Sequence, residues 1–329
     1  MINNIVIDSS AQRRALESIK TSIKNNDDII YLDADCYFTK GNPGKSTGEI
    51  LRDKNLEEET VRWMNSKTSF IKLMERYKNH YPSLIYLDWP EHYATRFISL
   101  KGVAAEGNNI FMFFPGVLGI TSSKIEDYFG LEFIDVWVSV FDEIVFPCMR
   151  KVFDKKSQTE LYARLRPLLE KTIYLAAVFH EIGHRCSCWK ISPEKDARVQ
   201  INKFHTDVTG ELATDIILVN FLKEFKEIQY FVFLQRLFWF GRFGFKENFE
   251  HGNLNEDNDT WIGAYLWNHF INTQVLIKNK DDSWHINFDS LDASFNKILV
   301  EIENLGIKVV ETRDNQDNII KEWMMDRVE

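Results

Sequence analysis

The pattern of apolar and polar positions changes along the chain, from short strand-like runs near the beginning to long helical runs later. Residues 29–38, 83–87 and 109–114 have the composition of β-strands. Residues 8–26 and 57–80 carry apolar side chains at helical spacing. We therefore expect a small mixed sheet with accompanying helices in the N-terminal part.

Two stretches between these elements have no clear period. Residues 40–47 are rich in turn-forming residues and predict a solvated loop. Residues 88–108 are predicted to be irregular, because they show neither alternation nor helical spacing.

From about residue 122 the pattern becomes mainly helical. The predicted helices cover residues 123–129, 131–153, 159–186, 208–225, 228–240 and 259–273. Pro147 and Pro167 should each break or kink the segment that contains them. The tail predicts a strand near residues 285–288, a helix near 291–303, a strand near 307–311 and a last helix.

These elements predict an α+β protein that is mostly helical. We expect an N-terminal α/β part over residues 1–121 and a mainly helical part over residues 122–329, which can also form one continuous domain.

Composition narrows the class of protein. A chain of 329 residues with 44% hydrophobic and 14% aromatic residues can bury a substantial core. The net charge of −9 disfavours nucleic acid as a partner. No apolar run has the length of a signal peptide or a membrane span, so we expect a cytoplasmic protein without a membrane partner. Free thiols, and not a disulfide framework, are expected for the four cysteines, Cys36, Cys148, Cys186 and Cys188.

Candidate chemistry is concentrated in the sequence His180-Glu-Ile-Gly-His184, which follows the apolar run of residues 172–179. Side chains four positions apart on a helix lie on nearly the same face, so both histidines can bind one metal ion. Glu181 is rotated by about 100° from His180 and can reach a water molecule on that ion. This H-E-x-x-H spacing favours a zinc site with one position open for chemistry.

A second pair of polar residues lies downstream, where Glu211 and Asp215 share a helical face with apolar residues. Two acids on a buried face are costly unless a positive group lies opposite them. Glu211 as the third metal ligand and Asp215 as the acceptor from a ligand histidine would meet that need. The alternatives for the third ligand are His205, Asp207, Cys186 and Cys188.

H-E-x-x-H followed by a helix with E-x-x-x-D resembles the gluzincin group of zinc metallopeptidases, which includes thermolysin-like and aminopeptidase-like enzymes. The resemblance covers residues 180–215 and implies a zincin-like core with an active-site helix. It implies that His180, His184 and Glu211 bind zinc, that Glu181 is the general base, and that Asp215 supports a ligand histidine. The 26 residues between His184 and Glu211 are more than these families usually have. The metzincin pattern does not fit, because Ser187 and Lys190 stand where it needs Gly and His.

Gluzincins also use a Tyr or His from a later helix to stabilise the oxyanion. Tyr265 and His269 lie four positions apart in a predicted helix, so we expect them to be the corresponding catalytic candidates. Arg242 and His251 are the alternatives.

The expected function is a zinc-dependent metallohydrolase that cleaves a peptide or amide bond, with Glu181 as the base for a zinc-activated water. A zinc-dependent biosynthetic enzyme that acts on a small molecule is an alternative, because ligands determine the metal and not the substrate. A non-catalytic zinc-binding protein is a third hypothesis, although it has no use for Glu181.

Overall fold

The computed structural model describes residues 9–36, 44–84, 88–102, 111–118, 120, 129–186, 201–241, 257–312 and 315–328. Contacts divide the chain into two compact units, Met1–Trp63 with Trp89–Ser139, and Met64–Asp88 with Val140–Glu329. The units therefore alternate along the chain, and the division after residue 121 stays a prediction. Within the described ranges, no helix combines the length and apolar character that crossing a membrane requires.

A five-stranded sheet forms the centre of the first unit. Its strands follow the order β1-β2-β3-β5-β4, and β3 and β5 are parallel while the other described pairs are antiparallel. The expected small mixed sheet in the N-terminal part is thus confirmed. The strands are β1 Ile29–Cys36, β2 Gly44–Arg52, β3 His92–Gly102, β4 Met112–Phe113 and β5 Gly130–Phe133.

Helix α1, Ser9–Lys24, packs on one face of this sheet. Burial alternates along β1, so that Ile30 and Leu32 point into the same apolar cluster as Leu16 and Ile19 of the helix. The inward-facing side chains of β1, at every second position, thus pack against the apolar face of α1 in one core.

Strand β3 corrects the prediction that residues 88–108 are irregular. It pairs with β2 on one side and with β5 on the other, and Ala94 and Thr95 are fully buried. Pairing with two neighbouring strands stabilises β3. This stabilisation depends on residues distant in sequence, so the local sequence pattern does not predict it. The predicted loop over residues 40–47 likewise gives way to β2 from Gly44 onward.

The remaining elements include the helices that carry the candidate chemistry. They are α2 Lys54–Lys67, α3 Phe70–His80, α4 Ile134–Val140, α5 Phe146–Val152, α6 Lys155–Leu165, α7 Leu169–Gly183, α8 Lys203–Phe221, α9 Lys226–Leu234, α10 Asn258–Asn272, β6 Leu276–Lys278, β7 Trp284–Ile286, α11 Leu291–Glu311 and α12 Gln316–Val328. The mostly helical character predicted from the sequence is confirmed.

Several predicted segments are divided or extended. Ser69 caps α3 by accepting a hydrogen bond from the backbone of Lys72, so the predicted helix over residues 57–80 is two helices. Pro147 follows a π-helical turn, Phe141–Val145, that joins α4 to α5 without a break, and Pro167 lies in a short 3₁₀ turn before α7. Each proline thus lies where the regular α-helical pattern of its segment is interrupted.

The predicted strand at residues 307–311 is wrong, because α11 continues to Glu311. Ile298, Ile302, Leu305 and Val309 are all buried at spacings of four, three and four residues. The apolar face of α11 therefore continues past residue 303, where the helix was predicted to end. Burial of this face outweighs the local β-propensity of residues 307–311.

Helices α7 and α8 form the interior of the second unit. Buried residues lie on nearly all sides of α7, as expected for an apolar helix enclosed by others. Helix α8 packs against α7, α10 and α11. Thr172, Thr209, Thr214 and Asp215 of these helices therefore lie buried in a largely apolar interior.

Candidate metal centre

His180 and His184 lie on adjacent turns at the C-terminal end of α7, with ring centroids 4.7 Å apart. Glu211 of α8 lies opposite them. Its two carboxylate oxygens are 3.3 Å from His180 Nε2 and 3.5 Å from His184 Nε2. The structure thus brings together the three residues that the sequence predicts as metal ligands.

These distances fit one tetrahedral metal ion. Zinc bonds of about 2.1 Å at tetrahedral angles place neighbouring ligand atoms about 3.4 Å apart. The imidazole and carboxylate atoms of the trio lie within 4.8 Å of one another, and this is the only such group of three or more metal-binding side chains within the described ranges. Two imidazoles and one carboxylate also form a donor set that zinc prefers.

Each histidine is fixed through its other ring nitrogen. His180 Nδ1 is 3.1 Å from Asp215 Oδ1, as the sequence predicts. His184 Nδ1 is 3.2 Å from the hydroxyl of Thr214, which itself donates to the carbonyl of Gly210. Both contacts leave Nε2 free to face Glu211 and bind metal.

Thr214 was not among the predicted site residues. Its position three residues after Glu211 places it on the same helical face, which is the only feature of the sequence that points to it.

A close approach of α7 and α8 makes these contacts possible. A Cβ atom added at Gly183 would lie 2.9 Å from Thr214 Cγ2 and 3.2 Å from its carbonyl oxygen. The glycine inside the H-E-x-x-H motif therefore lets the backbone of α8 come close enough for Thr214 to reach His184.

The charges of the site set its proton affinities. Burial alone would lower the pKa of His180, but the hydrogen bonds to Asp215 and Glu211 outweigh burial and raise it well above its usual value. Burial and the neighbouring His180 charge lower the pKa of His184. Burial would raise the pKa of Glu211, yet the hydrogen bond from His180 and the charges of both histidines and Arg236 lower it. Glu211 is therefore ionised at neutral pH.

Arg236 and Asp259 complete the polar cluster, and neither belongs to a motif that predicts a place in the site. Arg236 Nε donates to Asp215 Oδ2 at 2.5 Å, and its Nη1 donates to Asp259. Burial would raise the pKa of Asp215, but the guanidinium and the hydrogen bond from His180 lower it. The one feature of the sequence that marks Arg236 is a charge inside a run of aromatic residues.

Glu181 follows His180 on α7 and is partly exposed. Its negative charge acts on His184, where it favours the protonated form. This proximity agrees with the position of the predicted general base, and that role stays a prediction.

The alternative third ligands that are described contact other groups. Cys188 lies outside the described residues. The others pair as follows: His205 with Asp317, Asp207 with Lys203, and Cys186 with the carbonyl of Ile182.

Tyr265 and His269 of α10 form hydrogen bonds that account for both side chains without a role at the metal centre. The Tyr265 hydroxyl donates to Glu301 at 3.2 Å, and His269 Nε2 is 3.2 Å from the carbonyl of Ser294. The catalytic role predicted for them has no support from these contacts and stays a prediction. The alternatives Arg242 and His251 lie outside the described residues.

Comparison with known proteins gives a likeness in fold. No protein-family model and no curated protein matches the sequence. The structure is similar to DPP III from Caldithrix abyssi, with a TM-score of 0.60 and 11% identity. It is also similar to dipeptidyl-peptidase III from Corallococcus sp. strain EGB, with a TM-score of 0.58 and 12% identity.

Each of these likenesses covers 98% of this chain, but only 63% and 61% of the respective solved structures. The chain therefore spans about three fifths of the length of the proteins it resembles. At this level of identity the likeness concerns the fold.

Proposed function

We propose that this chain is a zinc-dependent hydrolase that cleaves a peptide bond or a similar amide bond. The observation that carries the proposal is the trio His180, His184 and Glu211, whose ligand atoms lie within 4.8 Å of one another. The fold, which is similar to that of dipeptidyl-peptidases III, favours a peptide as the substrate.

The exposure of the ligands favours a catalytic and not a closed structural site. The side chains of His180, His184 and Glu211 are 23%, 35% and 29% exposed, respectively. A catalytic zinc keeps one coordination position for water or substrate, whereas a structural zinc is enclosed by four protein ligands. Glu181, a carboxylate next to the first ligand, is also placed where a general base is needed for proton transfer.

Each residue then has a defined task. The trio would hold the ion, which when bound supplies a Lewis acid for the substrate carbonyl and lowers the pKa of a water molecule towards about 7. Glu181 accepts the proton of the attacking water and passes it to the leaving amine. Asp215 and Thr214 keep the imidazoles oriented throughout.

Replacement of Glu181 by Gln tests this proposal. We expect the Glu181→Gln variant to bind one zinc per chain like the wild type and to lose peptide hydrolysis by at least about 100-fold, because proton transfer is lost and the ligands remain. Glu170→Gln is the matched control, since it removes a carboxylate from the same helix about 16 Å along its axis. Zinc content and hydrolysis of dipeptidyl arylamides and unmodified peptides would be measured together.

Two outcomes would contradict the proposal: a wild-type protein that binds no zinc, or a Glu181→Gln variant that hydrolyses peptides at the wild-type rate. Turnover of small amides without any turnover of peptides would instead support the small-molecule alternative.

A further inference from the structure

Arg236 is a buried cation that contacts Asp215, the partner of His180, more closely than it approaches the predicted ligand Glu211. Its side chain is 3% exposed, and Asp215, to which its Nε donates, is 4% exposed. The same guanidinium donates to Asp259 at the start of α10 and lies 4.8 Å from the ring centroid of Phe240. Its Nη2 atom is 3.9 Å from Glu211 Oε2. One side chain thus connects α8 with α10.

The backbone that carries Arg236 is unusual. Residues Gln235–Phe240 form a π-helical turn directly after α9. Such turns are rare and are frequently found at functional sites. Arg236 is the one charged residue in the aromatic run of residues 230–240. It lies in the π-helical turn, and its guanidinium pairs with the carboxylate of Asp215.

Arg236 lies between three carboxylates, those of Glu211, Asp215 and Asp259. Without Arg236, the buried carboxylate of Asp215 would lose its ion pair, and its contact with His180 Nδ1 would remain without that support.

We infer that Arg236 is a positioning residue for the metal centre: by holding the Asp215 carboxylate in place, it fixes the ring of His180 and the affinity of the site for zinc. This inference rests on the metal centre of the proposed function. The chain of contacts runs from Arg236 Nε to Asp215 Oδ2, and from Asp215 Oδ1 to His180 Nδ1. Groups that orient a ligand histidine typically contribute a factor of about 10 to 100 to metal affinity.

The geometry requires arginine in particular. Two different nitrogens of one planar group reach Asp215 and Asp259 at the same time, and a third nitrogen faces Glu211. Lysine has one ammonium group and cannot reproduce this fork. Arg236→Lys keeps the positive charge but removes the planar group that reaches two carboxylates at once, and Arg236→Met removes both the charge and that group.

Zinc affinity, measured by competition with a chromophoric chelator, tests the inference independently of catalysis. We expect Arg236→Lys to lower zinc affinity by about 10-fold and Arg236→Met by about 100-fold. The visible absorption of the Co²⁺-substituted protein should also change, because the spectrum reports ligand geometry, which a loss of global stability alone leaves unchanged.

Arg166→Lys is the matched control. Arg166 forms a two-pronged ion pair with Asp142 on the surface, with both distances 2.9 Å, and precedes His180 by 14 residues. The same substitution there should leave zinc affinity and the Co²⁺ spectrum unchanged.

A double-mutant cycle separates positioning from a general effect on the fold. If Arg236 acts through Asp215, then adding Arg236→Lys to Asp215→Asn should lower zinc affinity much less than Arg236→Lys does alone. Equal effects in both backgrounds would overturn the inference, as would wild-type affinity and an unchanged spectrum in the Arg236 variants. If Arg236→Met fails to fold, Arg236→Lys and Asp259→Asn decide the question, the latter with a smaller expected loss of affinity.

This result is separable from the proposed function. A wild-type protein that binds zinc but cleaves no peptide would contradict the proposed hydrolase function. The zinc affinities of the Arg236 variants would still decide the role of Arg236. Wild-type affinity in the Arg236 variants of an active peptidase would contradict only the inference.

Discussion

The two histidines of the candidate metal centre differ in their hydrogen-bond partners and in their proton affinities. His180 contacts a carboxylate through Nδ1, whereas His184 contacts the hydroxyl of Thr214. The hydrogen bonds to Asp215 and Glu211 raise the pKa of His180, whereas burial and the neighbouring charge of His180 lower the pKa of His184. At neutral pH one imidazole carries a proton that a metal must displace, and the other is ready to bind.

Zinc affinity should consequently depend on pH. Because the pKa of His180 is raised well above its usual value, zinc binding near neutral pH releases about one proton, and the apparent affinity should rise about tenfold per pH unit. The dependence should level off once the pH exceeds the pKa of His180. Chelator competition between about pH 6 and about pH 8 measures this, and an affinity that stays constant over that range would contradict the assignment.

The sequence could predict the residues of the site whose roles follow from helical spacing. His180 and His184 are four apart, and so are Glu211 and Asp215, which is enough to place each pair on one face. Arg236 and Asp259 could not be predicted in this way, because their role depends on packing between helices that are distant in sequence. Tyr265 and His269 also have this spacing; their hydrogen bonds go to Glu301 and Ser294, and their catalytic role stays a prediction.

At the scale of elements, the approach of α7 to α8 determines whether the ligands meet. Gly183 lies at the contact and faces Thr214 of the other helix. In the sequence it occupies a variable position of H-E-x-x-H, so the motif alone assigns it no role. In the structure a Cβ atom at this position would lie 2.9 Å from Thr214 Cγ2, so the close packing of the two helices requires glycine here.

We predict that Gly183→Ala destabilises the protein and weakens zinc binding together. The added methyl would meet Thr214 Cγ2 at 2.9 Å, its carbonyl oxygen at 3.2 Å and its Cα at 3.3 Å, so backbone must move. Overpacking of this kind typically lowers the free energy of unfolding by about 1–3 kcal/mol. Denaturant unfolding and chelator competition on the same preparations measure the two effects.

Gly210→Ala provides the control for this prediction. A Cβ atom at Gly210 meets nothing within 4 Å, although the residue also lies in one of the two site helices. Alanine there should raise the stability by up to about 1 kcal/mol, because it favours the helix. If Gly183→Ala were as stable as Gly210→Ala and bound zinc as tightly, close helix packing would not be a requirement of the site.

At the scale of the whole molecule, the sequence predicted a mostly helical protein with a small mixed sheet, and the structure agrees. The spacing of apolar residues and the positions of proline and glycine located most helices, because each helix carries its own apolar face. Strands β2 and β3 were missed because their stability comes from pairing with neighbours on both sides. The similarity in fold to dipeptidyl-peptidases III could not be predicted from the sequence, since only 11% and 12% of residues are identical.

The central claim is that two imidazoles one helical turn apart and the carboxylate of Glu211 bind one zinc ion. X-ray absorption at the zinc edge of the zinc-loaded full chain tests this claim most directly. The account predicts one zinc per chain, two imidazoles, and only nitrogen and oxygen ligands at about 2.0–2.2 Å. A sulfur ligand at about 2.3 Å, which Cys186 or Cys188 would provide, or a spectrum without imidazole, would contradict it.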